Sequence, residues 1–399
     1  MGDYANNPSP EKSSLASLFF IFLRLGLTSF GGPVAHLGYF RNEFVEKRKW
    51  LDDHAYGDLV ALCQFLPGPA SSQVGIALGL MRGGSLGAFA SWLGFTLPSV
   101  IAMVLFALFM QNTSNTGTWI HGLKVVAVAV VAQAVWGMAK SLCPDRHRAS
   151  IAVAAAVFLI AMPTVFGQII TIALGGLIGW WWLSPQKDLP ASQITVSIGN
   201  KTAITCLLLF FALLFVLPLL AHSSHTLALF DSFYRSGALV FGGGHVVLPL
   251  IQAEVVPTGW VSESAFTAGY GAAQAVPGPL FTFAAYLGAV STQAPNGWLG
   301  ATIATLGIFA PAFLLVFGTL PLWQKARQFH ALQKAMMGVN AAVVGVLLAA
   351  FYHPVWTSAI LSPKDFALAI TALLLLNLWK APPWLVVILC ALAAGFGWH

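Results

Sequence analysis

The sequence predicts an all-α polytopic membrane protein made of two repeats of inverted topology, with broken or re-entrant helices at Gly-Gly-Pro and Pro-Gly-Pro motifs. Three observations point to it. Of 399 residues, 58% are apolar and only 8% charged, whereas a soluble domain carries about a quarter charged residues. Fourteen Trp, 29 Phe and a mean hydropathy of +0.79 leave too little polar surface to face water. Several apolar runs reach the ~20 helical residues that cross a ~30 Å hydrocarbon layer. Finally, the chain can be laid on itself in register, as shown below.

Taken in order, residues 1–14 are polar, and the apolar stretch from Leu15 is interrupted by Arg24 with no small-residue cleavage pattern after it, so this end reads as retained. Segment 15–50 is broken at Gly31-Gly32-Pro33 and segment 55–80 at Pro67-Gly68-Pro69. Runs 85–110 and 118–139 are long enough to span. Runs 149–162 and 165–183, split by Pro163, read as a helical hairpin. Run 203–221 is a further span without a counterpart in the first half. Segments 226–256 and 264–291, runs 298–320 and 331–352, and a second hairpin of 365–378 with 382–397, split by Pro382-Pro383, complete the chain.

The internal match sets the domain organisation. Arg24-Leu25-Gly26 through Phe30-Gly31-Gly32-Pro33 falls on Arg235-Ser236-Gly237 through Phe241-Gly242-Gly243-Gly244, and Glu43 falls on Glu254. Further on, Trp50 meets Trp260, Gln64 meets Gln274, and Pro67-Gly68-Pro69 meets Pro277-Gly278-Pro279. Leu93-Gly94 meets Leu306-Gly307, Pro98 meets Pro311 and Gly122 meets Gly338. Apolar stretches resemble each other by composition alone, but that does not keep Arg, Glu, Gln and Trp in order. The expected units are a first repeat at 15–183, a linker at 184–225 containing the connecting span 203–221, and a second repeat at 226–397. One odd span between equivalent halves makes them inverted.

Charge gives the orientation. If the broken segments dip in and return to one side, the loop Lys and Arg fall on a single face, Lys364 excepted. If every apolar run crosses, Arg41, Lys47, Arg48 and Lys49 move to the opposite side. The positive-inside rule favours hairpins. The +6 formal charge is thereby assigned to loop orientation rather than to nucleic acid, since no basic patch interleaved with stacking aromatics occurs. Cys63, Cys143, Cys206 and Cys390 lie far apart and read as packing residues, without metal-ligand spacing; no cofactor is expected.

Glycine and proline breaks are ordinary turns in water, but in lipid they leave backbone groups unsatisfied unless protein or a wet cavity surrounds them. Two per half, at matching positions, point to a substrate site at the repeat interface. A helix restarting after Pro69 or Pro279 would aim free amides and its positive end at the break, which suits an anion. Arg24 and Arg235 would offer a planar fork of donors to an oxyanion; the structural alternative is pairing with Glu43 and Glu254 or reaching an interface. Gln64 and Gln274, with Ser71, Ser72 and Thr282, would add neutral donors, or act as interhelical hydrogen bonds. His36 and His245 follow the glycine breaks as proton-relay candidates or as packing residues. Lys124 is either a coupling residue or a lysine near a helix end. Glu43 to Trp50 reads as an interfacial amphipathic segment in contact with lipid.

These motifs together resemble the chromate ion transporter family of bacteria in its long, two-domain form. The residues concerned are Phe30-Gly31-Gly32-Pro33 with Phe65-Leu66-Pro67-Gly68-Pro69, and Phe241-Gly242-Gly243-Gly244-His245 with Val276-Pro277-Gly278-Pro279. The resemblance implies a multi-pass carrier of the plasma membrane that expels chromate and confers resistance, with sulfate as a related anion. It supports Gly31, Gly32, Pro33, Pro67, Gly68, Pro69, Gly242, Gly243, Gly244, Pro277, Gly278 and Pro279 as functional. Half-size relatives act as pairs, so one fused chain is expected to work as a monomer or a homodimer. An importer or exchanger of sulfate or another oxyanion is the nearest alternative. An intramembrane enzyme is disfavoured by the lack of His-Glu-x-x-His, Gly-x-Ser-x-Gly or Asp-rich motifs.

Overall fold

In the computed structural model, residues 13–30, 32–112, 119–162, 164–184, 198–241, 244–323 and 329–396 are described. Among them the chain is helical, with no strand. The polar end at 1–12, Gly31, Pro163, Gly242 and Gly243 lie outside the described residues.

The first broken segment gives α1 (Leu15–Thr28), capped at Ser14, and α2 (Gly32–Arg41), which runs into a wide π turn at Asn42–Lys47. The second gives α3 (Asp53–Phe65), capped by Asp52, and α4 (Ala70–Asn112). Gly84, at φ +64°, bends α4 where the sequence separates its broken segment from the following span. Then come α5 (Trp119–Leu142), α6 (Arg146–Ala161), α7 (Val165–Trp182) and the connecting α8 (Asn200–Leu220). The second half supplies α9 (His225–Ala238), α10 (Val247–Val255), α11 (Glu263–Ala273) and α12 (Phe283–Val290). It ends with α13 (Gly297–Thr319), α14 (His330–Ala350), α15 (Pro363–Asn377) and α16 (Pro383–Gly395). Every proline or glycine break anticipated from sequence and described here falls between helices or in the first turn of one, as Gly32 and Pro33 do in α2 and Pro383 in α16. One difference is local: after Pro279 the chain restarts as a 3-10 turn at Leu280–Thr282 rather than directly as α-helix.

Five helices among the described residues are long and apolar enough to cross a membrane. They coincide with the five long runs read from the sequence. α8 is the most apolar, yet only Ala203, Phe210 and Leu217 on it are buried. That seven-residue spacing is a single stripe against α9 and α13, with Leu208, Phe215 and Leu219 left facing outward, as a lipid-facing helix requires.

Matching helices touch in the same way in each half. α1 packs on α4 so closely that a methyl on Gly26 would meet the Phe95 carbonyl, while Gly94 lies against the Phe19 carbonyl. α9 packs on α13 with Gly237 against the Ile308 carbonyl and Gly307 against that of Phe230. The terminal hairpins interlock the halves: α6 and α7 pack on α14, whereas α15 and α16 pack on α5. Small residues permit both approaches, with Gly338 of α14 against the Gly175 carbonyl and Gly122 of α5 against that of Cys390.

Candidate functional site

The four breaks converge. The Gly68 amide donates to the Val240 carbonyl at 2.7 Å, and the Gly278 amide donates to the Ser29 carbonyl at 2.9 Å. Each Pro-Gly-Pro loop therefore docks on the end of the broken helix of the opposite half. Backbone freed by proline and glycine is satisfied across the interface, where lipid would leave it bare. Both loops need glycine, Gly68 at φ +122° and Gly278 at φ +96°. The second loop is held further by Ser99, which donates to the Pro277 carbonyl at 2.6 Å; in the first, Gln73 Nε2 donates to the Pro67 carbonyl at 2.7 Å.

Beside this crossing lies a cavity of about 50 Å³ lined by Gly32, Gln133, His245, Gln274, Gly278 and Pro383, among others. This is room for a few waters or one small ion. Among the described residues, no Asp, Glu, Lys or Arg lines it. Its polar groups are neutral amides, the imidazole and loop backbone. Gln274 donates to the Tyr270 carbonyl at 3.3 Å, and His245 Nδ1 lies 2.6 Å from the Tyr270 hydroxyl. His245 Nε2 comes near Gly32, so a second-half histidine serves the first-half break.

The remaining sequence candidates are distributed as follows. Pro33 is in the first turn of α2 and Gly244 opens the short turn that carries His245. Pro69 and Pro279 precede the restarting helices. Ser71 is buried on α4 with its hydroxyl 3.4 Å from His36 Nδ1. Gln64, unlike its counterpart Gln274, is exposed and does not line the cavity. Lys124, in the second turn of α5, faces the charge of Glu263 at the start of α11.

Arg24 and Arg235 do not line the cavity. Arg24 Nη2 binds Glu43 Oε2 at 2.7 Å, and buried Glu43 also accepts from Arg48 at 2.8 Å with Lys47 at 3.8 Å. Arg235 binds Glu254 and Asp231, each at 2.9 Å, and Ser232 donates to the same Glu254 oxygen. In each half, residues 19 apart and centred on the glycine break meet, although a continuous helix would separate them by about 28 Å. The chain thus doubles back at each break.

Two groups escaped the sequence reading. Gln133 is the one polar side chain in an otherwise apolar stretch of α5, a signal present but shared with many structural glutamines. Ser99 looks like any helical serine until the second-half loop is laid against it.

The architecture defines a polytopic all-helical membrane protein in which broken helices of two halves meet around a small, uncharged polar cavity, and its class is that of a transporter rather than an enzyme. The chain belongs to the Chromate transporter family, whose sequence profile matches twice, over residues 16–180 and 227–396. It is 28% identical to the chromate transport protein of Pseudomonas aeruginosa across 99% of this chain and 95% of that one. It is 28% identical to the chromate transport protein of Cupriavidus metallidurans across 92% and 89%. A probable chromate transport protein of Synechococcus elongatus is 26% identical across 96% of each chain. No solved structure matches the chain.

Proposed function

We propose that this protein exports chromate across the bacterial plasma membrane, binding the oxyanion where the two halves meet and driven at least partly by membrane potential. The observation that carries the reading is the reciprocal docking of Gly68 on Val240 and of Gly278 on Ser29. It gathers non-helical backbone from both halves around a polar cavity, in a chain whose family and relatives are chromate transporters. Gly32, His245, Gln274 and Gly278 are the groups nearest the path. Arg24 and Arg235 act beside it, holding the arms of each broken segment through Glu43 and Glu254, and the cluster of Arg24, Lys47 and Arg48 around Glu43 lends positive charge to the approach.

Two inverted repeats, at 15–183 and 226–397, are part of this reading. The double profile match, the paired glycine contacts and the chain reversals support it. Cysteine accessibility at residues 42–48 and 256–263 tests it: the first set should label only from the cytoplasm and the second only from outside. Labelling of both from one face would refute the inversion.

The direction follows from charge. A dianion leaving a negative interior gains about 2.3 kcal/mol per charge per 100 mV, or about 4.6 kcal/mol in all. That corresponds to about three orders of magnitude in concentration, so export needs no coupled ion. Chromate flux in proteoliposomes under an imposed potassium-diffusion potential tests the mechanism. Flux should rise with a potential that pulls anions outward, and flux indifferent to voltage would refute it. Strict exchange against labelled sulfate would instead favour an exchanger.

A further inference from the structure

The two halves share a backbone but not the chemistry at their breaks. Around the first break, Ser29, His36, Ser72, Gln73 and Thr96 are all at least 98% buried. In each of them a side-chain atom has no hydrogen-bond partner: Ser29 Oγ, His36 Nε2, Ser72 Oγ, Gln73 Oε1 and Thr96 Oγ1. Buried polar atoms are normally satisfied, and a cluster of orphans marks a place built for something polar.

Ser29 caps α1, His36 lies on α2, and Ser72, Gln73 and Thr96 lie on α4, which packs against both. The ring of His36 approaches the Ser29 backbone, and its Nδ1 faces Ser71 Oγ at 3.4 Å. Its edge stands on Phe95, ring centroids 5.4 Å apart, and Thr96 is the next residue of α4. Ser72 and Gln73 occupy the first turn of that helix. The Ser29 carbonyl is the acceptor for Gly278, which lines the cavity, so the cluster and the cavity share a wall.

In the second half the corresponding positions are Val240 for Ser29, Val247 for His36, Phe283 for Gln73 and Phe309 for Thr96. Thr282, which replaces Ser72, donates to the Pro279 carbonyl at 2.8 Å and is satisfied. The same scaffold is therefore filled with aromatic and branched side chains on one side and, on the other, with unpartnered hydroxyls, an imidazole nitrogen and the acceptor oxygen of Gln73.

We infer that, where the two halves meet, the protein holds its oxyanion asymmetrically, with side-chain donors from the first half alone: the hydroxyls of Ser29, Ser72 and Thr96 and the Nε2–H of His36 donate to a tetrahedral dianion at the N-terminus of α4. This rests on the transport reading above. Binding in this way requires the tautomer in which Nδ1 accepts from the Ser71 hydroxyl, which leaves the proton on Nε2 as a donor. The amides and dipole of a helix start add positive potential without a fixed charge. No carboxylate belongs to the cluster. Neutral donors hold an anion and release it more readily than a desolvated arginine would, which suits a carrier.

The full-length protein in lipid nanodiscs, titrated calorimetrically with sodium chromate and with sodium sulfate, tests the inference. Ser72→Ala and Thr96→Val should each weaken anion binding about tenfold or more. Thr96→Ser, which keeps the hydroxyl, should restore binding to within about threefold of wild type. Thr305→Val, removing a buried hydroxyl of α13 that is already bonded to Ala301, should bind normally and so controls for packing damage. Wild-type affinity in Ser72→Ala and Thr96→Val, or equal loss in Thr305→Val, overturns the inference. Proteoliposome flux of the wild type separates the two levels. No chromate movement there refutes the transport reading itself, whereas normal movement with unchanged Ser72→Ala and Thr96→Val affinity refutes only the one-sided site.

Discussion

Replacement of Gly278 by alanine is the most direct test of the interlocked loops. At φ +96° an L-residue lies beyond even the left-handed helical region, and such strain costs about 1–3 kcal/mol. The added methyl would overlap Ser99 Oγ and stand 3.3 Å from the Phe95 carbonyl and 3.4 Å from that of Gly26. Overpacking of this kind costs about 1–3 kcal/mol more. If the loop withdraws to escape, it loses the Gly278–Ser29 and Ser99–Pro277 hydrogen bonds, about 1 kcal/mol each. Gly68→Ala is the matched comparison. Its φ of +122° is equally unsuited, but the new methyl meets the end of the Gln73 side chain at 2.8 Å, which can turn aside at the cost of its bond to the Pro67 carbonyl, and next Ala312 at 3.8 Å. Gly278→Ala should therefore be the more damaging by about 1–3 kcal/mol, and adding Ser99→Ala should relieve part of the excess. Thermal unfolding of purified protein, followed by tryptophan fluorescence, reads stability, and initial chromate flux in proteoliposomes reads function. Equal melting of the two single variants, or normal flux in Gly278→Ala, would refute the argument.

Further outcomes follow from other contacts. Glu43→Gln leaves Arg24, Lys47 and Arg48 without their shared carboxylate; because Arg24 and Lys47 are largely exposed, the loss should be only about 1–2 kcal/mol. Glu254→Gln should cost less, because Arg235 keeps Asp231, and paired denaturation curves check the order. Gly338→Leu should separate α14 from α7 at Gly175 and Gly179, lowering the melting temperature by more than a leucine at exposed Gly137 of α5. At the start of α6, backbone hydrogen bonding from Arg148, together with its guanidinium, holds the Asp145 carboxyl below its usual range. That stabilisation is present above the ordinary carboxylate pKa and is lost as the pH falls through the lowered one. Asp145→Asn keeps a capping side chain, so its stability should trail the wild type at neutral pH and converge with it in acid.

Helix limits were legible because they depend on neighbours in the chain. Pro67-Gly68-Pro69 ends α3 and starts α4 for reasons internal to those residues. Pro277-Gly278-Pro279 ends α11 likewise, though the 3-10 restart at Leu280 was not signalled. The candidate site was legible as motifs but not as a partnership. The repeat aligned Gln64 with Gln274, yet one is exposed and the other lines the cavity, since packing need not follow a duplication once side chains diverge. Arg24 and Arg235 stood out as charges in apolar helices. Only the chain reversal brought their glutamates to them.

Membrane residence, the five long spans and the positions of the breaks were already contained in the order of residues, because apolar transfer, proline's missing donor and glycine's missing Cβ act locally. The tertiary structure decided which break meets which. Each Pro-Gly-Pro loop satisfies backbone of the opposite half, and buried polar groups of the first half stand where the second half packs Val247, Phe283 and Phe309. That asymmetry consists of contacts between residues tens to hundreds of positions apart, and such contacts exist only once the helices have packed.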